Sequence, residues 1–302
     1  MNDSNVTPRS NLYQRITDQI IGELERGTLP WLKPWNGQKL GERVVRPLRQ
    51  SGEPYRGINV ISLWMAATAF GYASPYWMTY RQACELGGQV RKGEKGAPVV
   101  FASSLVKKDA DAADDAEARE IHYMKGYTVF NAAQIDGLPE RFALIAHQPP
   151  LDPPARNSQA EAFFAATGAD VRHGGARAYY SAKADHIQLP PFESFIDAVG
   201  YYATLAHESV HWTSHEQRLN RSFDRKRFGD EGYAVEELVA ELGAAFLSVD
   251  LQLTPELRPD HASYIESWLK VLKNDNRAVF TAAAHAQRAC DYLHGLQPVA
   301  SP

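Results

Sequence analysis

Cysteine is nearly absent: Cys84 and Cys290 are the only two in 302 residues. That scarcity excludes a disulfide scaffold and a cysteine-rich zinc module, and it fits a reducing, cytoplasmic location. No run of eighteen apolar residues occurs, so no membrane span and no membrane partner are expected. The opening MNDSNVTPRSNLYQRI lacks an apolar stretch behind a basic start and is not expected to act as a secretory signal. Positive charge is also short overall. The net charge of −4 excludes a chain that is basic throughout and holds nucleic acid by charge alone. What remains is ordinary for a soluble protein with a real core, 44 % hydrophobic and 23 % charged, at a length that suggests about two domains.

The charge is unevenly spread. Residues 1–106 hold 13 Lys/Arg against 8 Asp/Glu, whereas 107–120, KKDADAADDAEARE, hold 3 against 6. In the first half, Leu12, Ile16, Ile20 and Leu24 recur at helical spacing and predict a helix over 10–27, with Ser10 as cap and Gly27 as terminator. INVISLWMAATAFGY and MTYRQACELGG read as two more helices. APVVFASSLVKK and IHYMKGYTVFNAAQI read as a hairpin with the acidic run at its tip. HQPPLDPPAR, with four prolines, reads as a semi-rigid linker over 147–157. Beyond it a helix is expected around Ser158–Thr167, then a small sheet, then four helices. The whole is α+β, with two domains spanning 1–146 and 158–302.

LAHESVHWTSH, Leu205 to His215, carries the clearest chemistry. Residues i and i+4 share a helix face, so His207 and His211 can offer both imidazoles to one ion. Glu208, beside the first histidine, can then act as general base on metal-activated water without being a ligand. The third ligand is not His215, because three successive i+4 residues on a straight helix diverge too far; a capping or hydrogen-bonding role is expected there. A histidine ten residues after His207 would mark a metzincin, but that position is Gln217. A better source is YAVEELVAELGAAFL, where Glu237 and Glu241 stand at i, i+4 beginning 26 residues past His211. This two-helix arrangement resembles the gluzincin peptidases, and by that match Glu237 is the ligand and Glu241 orients a histidine. The reverse assignment stays open, and Glu236 is expected to point elsewhere. Two imidazoles and a carboxylate suit Zn²⁺, with Mn²⁺ or another divalent transition metal as alternatives. Tyr179, Tyr180 and His285 are candidates for stabilising an oxyanion.

Four of the six tryptophans, Trp31, Trp35, Trp64 and Trp77, fall in the mildly basic first 106 residues. Trp64 and Trp77 lie in apolar patterns and are expected in the core. PWLKPW, with Trp31, Lys33 and Trp35, is a candidate platform on which unpaired bases stack, each worth about 1–3 kcal/mol. Arg56 and the glycine-permitted turn GGQVRKGEKG, with Arg91, Lys92 and Lys95, are candidates for phosphate contacts.

Long, ordered stretches of both halves carry a family likeness. LPWLKPW, YRGINVISLW, YWMTYRQACELGGQVRKGEKG and VFNAAQIDGLP resemble the ArdC-type N-terminal domain of plasmid antirestriction proteins and conjugative primases. SFIDAVGYYATLAHESVHWTSHEQRLNR and FGDEGYAVEELVAELGAAFL resemble the zincin-like metallopeptidase domain joined to it. Ser214 departs from the family's usual glycine. The resemblance implies a protein that binds single-stranded DNA, and duplex DNA as a further option, and protects incoming plasmid DNA from host restriction endonucleases. Its metallopeptidase domain implies a protein substrate of unknown identity. Two other readings stay open: a DNA-coating protein whose metal is purely structural, and a DNA-targeted regulatory protease. Residues 1–138 show no acidic cluster of the kind nucleotide polymerisation needs, which argues against a primase.

Overall fold

The structure is a computed structural model that describes residues 9–31, 46–107, 119–142, 153–195, 197–223, 231–253 and 261–298. Helix α1 (Arg9–Glu25) buries Ile16, Ile20 and Leu24, one turn apart on a single face. Gly27, at φ 75°, closes it. Strand β1 (Leu48–Arg49) precedes α2 (Ile58–Phe70), which is mostly apolar and buries Ile58 and Val60 to Trp64 between the sheet and the second half of the chain. Strand β2 (Tyr76–Met78), α3 (Tyr80–Glu85), β3 (Gln89–Val90), β4 (Ala97–Lys107), β5 (Arg119–Asn131) and β6 (Ile135–Asp136) complete this half. The expected hairpin is present as β4 and β5, antiparallel from Ala97↔Val129 to Lys107↔Arg119; most of its acidic tip lies outside the described residues. Its sheet runs β1-β2-β5-β4, and β3 pairs with β6 separately.

The second half opens with α4 (Pro153–Ala166). The end of the expected linker is therefore the first turn of a helix, a place proline suits because its fixed φ is helical and its missing N–H would have no partner there. Strands β7 (Asp170–His173), β8 (Tyr179–Ser181) and β9 (His186–Leu189) form a sheet of order β7-β9-β8, leaving β8 on one edge. Four helices follow: α5 (Ala198–Trp212), α6 (Glu231–Asp250), α7 (His261–Asn274) and α8 (Ala278–Gly295).

The two halves share one apolar core. The Trp31 and Trp268 rings meet edge to face at 5.6 Å, and Trp64 meets Phe246 of α6 at 6.0 Å. Polar groups tie the same seam. Arg46 donates to both Asp250 oxygens at 2.6 and 2.8 Å and to Gln287 at 2.9 Å, and Thr17 donates to the Asn276 carbonyl at 2.7 Å. Arg56 pairs with Asp291.

Candidate metal centre

Two helices build the site. Asp197 caps α5, its carboxylate accepting from the Gly200 N–H at 2.8 Å. At the other end, Arg221 and Arg218 donate to the Val210 and Trp212 carbonyls, filling the acceptors that a helix C-terminus leaves open. Helix α6 crosses close to α5 because residue 243 is glycine: a Cβ there would sit 2.6 Å from Val210 Cγ2. That approach brings the histidine face of α5 onto the glutamate face of α6.

The three predicted ligands converge. The Nε2 atoms of His207 and His211 are 3.1 Å apart, and Glu237 lies 3.4 Å from the first and 3.5 Å from the second. An ion held at about 2.0–2.1 Å in tetrahedral geometry has ligand atoms about 3.3 Å apart. The charges agree with that fit. The Nδ1 atom of His207 faces Glu241 at 3.1 Å and that of His211 faces Glu236 at 3.1 Å. With each Nδ1 turned to a carboxylate, both Nε2 atoms are aimed, with Glu237, at one point that a cation satisfies. A proton is one such cation. Burial alone would depress His211, but Glu237 and Glu236 outweigh it and push it up to about 10. A divalent metal would take the same place.

Of the two glutamate assignments left open by the sequence, the geometry puts Glu237 at the Nε2 atoms and Glu241 behind His207. Glu236 does not point away as expected. It accepts from Arg221 at 2.8 and 2.7 Å while holding His211, and despite burial the Arg221 hydrogen bonds bring its carboxyl down to about 2. Arg221–Glu236–His211 is thus a buried relay that the i, i+4 spacing of Glu237 and Glu241 does not reveal. The available signal was three glutamates, 236, 237 and 241, within the apolar stretch of α6, which burial obliges to find partners. His215 accepts the Gln217 N–H at 3.2 Å, the local role expected of it.

Glu208 is 3 % exposed and lines, with the three predicted ligands, a cavity of about 260 Å³. Tyr179 and Tyr180 of the edge strand β8 form its opposite wall, and Tyr233 and Tyr264 line it as well. Tyr233, one turn before Glu237, has its hydroxyl 3.3 Å from that of Tyr264. Burial, then Tyr264 and Glu237, raise the Tyr233 hydroxyl well above its ordinary range, so it stays a donor. His285 is not among the cavity's lining residues; it sits against Phe223 and Arg288.

The expected DNA contacts are dispersed. Trp31 is 1 % exposed, packed on Trp268, and offers no face to a base. This corrects its assignment to a stacking platform: its ring is buried against Trp268 of α7 rather than open to solvent. Lys33 and Trp35 lie outside the described residues. Arg56 is committed to Asp291, and Arg91 to Glu94 and Asp136. Lys92 and Lys95 are exposed and form no ion pair among the described residues.

Paired histidines on one helix, a glutamate on the next and a small sheet beside them define a zincin-like metallopeptidase domain, and residues 158–285 match that family. Residues 10–130 match a second, the N-terminal domain of anti-restriction factor ArdC. The chain belongs to the ArdC antirestriction family. It is similar to the metal-free crystal structure of the antirestriction protein ArdC from plasmid R388, at 49 % identity and TM-score 0.79 over 95 % of this chain and 97 % of that one. The Mn(II)-bound structure of that protein matches at 47 % identity and TM-score 0.77 over 94 % and 97 %. A Sinorhizobium fredii protein, y4eC, is 44 % identical over 96 % of this chain and 94 % of its own. The DNA primase TraC of Escherichia coli is 38 % identical over 93 % of this chain but only 27 % of the primase. Among the described residues, no helix is long and apolar enough to cross a membrane.

Proposed function

We propose that this protein binds single-stranded DNA and protects incoming plasmid DNA from host restriction endonucleases, and that its second half is a metal-dependent peptidase. The convergence of His207, His211 and Glu237 on one point beside Glu208 supports the peptidase. The membership of both halves in the antirestriction family supports the rest. The donor set suits Zn²⁺, and Mn²⁺ fits the same ligands.

A divalent ion at such a site supplies Lewis acidity, which acidifies water and polarises a carbonyl. Glu208 takes the proton released by the attacking water and returns it to the leaving amine. Glu241 and Glu236 hold the two imidazoles in the tautomer that leaves Nε2 free. Tyr233 and Tyr264 donate toward the oxygen on which charge develops. The cavity wall contributed by β8 keeps the peptide in place and bulk water out.

Glu208→Ala separates the functions, because it removes the base and leaves the ligands. In a restriction challenge and a peptide-cleavage assay, the variant should keep its metal and lose all cleavage. Full cleavage by Glu208→Ala would refute the assigned base. Full protection of DNA without cleavage would show that coating, not proteolysis, defends the plasmid.

A further inference from the structure

A second cavity, remote in sequence from the metal helices, lies between α1 and α2 and encloses about 490 Å³. Its rim carries an unusual aromatic pair. Helix α2 ends on Gly71 at φ 69°, and the N–H groups of Gly71 and Tyr72 both donate to the Ala67 carbonyl. This left-handed turn sets Phe70 beside Tyr72 with centroids 5.6 Å apart and planes 25° apart. Tyr72 is anchored edge-on against the buried Trp77 at 5.8 Å, whereas Phe70 is 59 % exposed. One ring is fixed by the core and the other stands open to solvent.

Charge around the cleft is divided. Lys95 lines it, and Lys92 stands in the same turn, which Gly93 permits at φ 89°. Tyr72 lies close enough to this turn that, after burial, the charges of Glu94 and Arg91 act most on its hydroxyl. The opposite wall, on α1, presents the Gln19 amide and the carboxylates of Asp18 and Glu23. Glu23 pairs with Arg26, and Asp18 accepts from Gln14 at 2.7 Å. Phosphates are attracted to the lysine side; on the α1 side, where Arg26 offsets Glu23, Asp18 disfavours them, and carboxylates and an amide can accept from the exocyclic amines of a base edge.

We propose that Phe70, Tyr72 and Lys95 form a binding site for an unpaired base of single-stranded DNA. The base stacks on Phe70, and the flanking phosphates meet Lys92 and Lys95. The site rests on the DNA-binding reading above and moves the stacking platform from Trp31 to the end of α2. It selects single strands because both faces of a base within a duplex are already stacked. The carboxylate wall sets the direction of entry, base inward and backbone toward the turn.

The test is fluorescence anisotropy of the full chain with a labelled single-stranded oligonucleotide at several salt concentrations. Phe70→Ala should weaken binding about 5- to 150-fold, the value of one stacked base. Phe70→Trp should restore it, and Phe70→Leu, apolar but without a π face, should not. Replacing both Lys92 and Lys95 by Ala should flatten the slope of log affinity against log salt by about 1.4, roughly 0.7 for each phosphate no longer neutralised. Binding by Phe70→Ala or Phe70→Leu equal to the parent's would overturn the site and leave DNA binding itself standing. No binding by the parent at low salt would overturn both.

Discussion

Replacing Glu236 by Gln perturbs the relay behind the metal ligands, and its consequences can be set against those of Glu241→Gln. Each glutamate faces the Nδ1 of one histidine at 3.1 Å. Loss of an orienting carboxylate typically lowers metal affinity about 10- to 100-fold, so both variants should bind Mn²⁺ or Zn²⁺ more weakly by that factor in calorimetric titration. Their stabilities should differ. Glu236 is the bidentate partner of Arg221, and both side chains are 1 % exposed. Glu236→Gln leaves that guanidinium buried and uncompensated, at a cost of about 3–5 kcal/mol. For a chain of this length the cost corresponds to a fall in Tm of about 5–8 °C in EDTA. Glu241→Gln keeps an oxygen facing His207 Nδ1 and should melt closer to the parent in EDTA. An unchanged Tm for Glu236→Gln, or metal affinity at the parental value for both variants, would refute the relay.

Three further outcomes follow from the packing. Gly243→Ala drives a methyl against Val210 and should cost about 1–3 kcal/mol while widening the α5–α6 gap, read as a lower Tm together with weaker metal binding. Asp250 is buried, which opposes its charge, but hydrogen bonds from His294 and Arg46 outweigh burial and lower its pKa. The stability it contributes is present above its ordinary value of about 3.9 and lost as pH falls below that through the folded value, so acid unfolding of Arg46→Met should begin at higher pH than the parent's. Trp31→Ala should destabilise the chain by about 3–5 kcal/mol, and Trp31→Phe, which keeps a ring against Trp268, should bind the single-stranded oligonucleotide with parental affinity.

Helices α1 and α7 were legible because their apolar residues recur at helical spacing: α7 spans His261–Asn274, the bounds its periodicity implies. The H-E-x-x-H face was legible for the same reason, since four residues along a helix return to one side. Glu236 was not, because two adjacent glutamates both reach α5 only when the helices cross closely, and Gly243 sets that distance. Trp31 was misplaced because its partner Trp268 is far away in sequence and a proline-flanked loop carries no periodicity to mark it as core. The short strands β1, β2, β3 and β6 exist through pairing with distant segments rather than through any pattern of their own.

The shared core changes how the two halves can act. Trp31 on Trp268, Trp64 on Phe246 and Arg46 on Asp250 all cross the seam between the regions that match separate families. Cutting the chain near residue 140 would uncover both tryptophans and strand Asp250 beside an apolar surface, so a loss of DNA binding by the isolated first half would report misfolding as readily as a missing site. Point variants in the whole chain avoid that confusion. The seam also gives a physical route by which one half can influence the other. Helix α6 carries Glu237 near its start and Asp250 at its end, so a shift of Arg46 or α2 presses on the same rigid element that positions a candidate ligand. Arg46→Met is the discriminating variant: weaker metal binding without any change at the site itself would show that α6 transmits strain along its length, and parental metal affinity would show that the seam only holds the halves together.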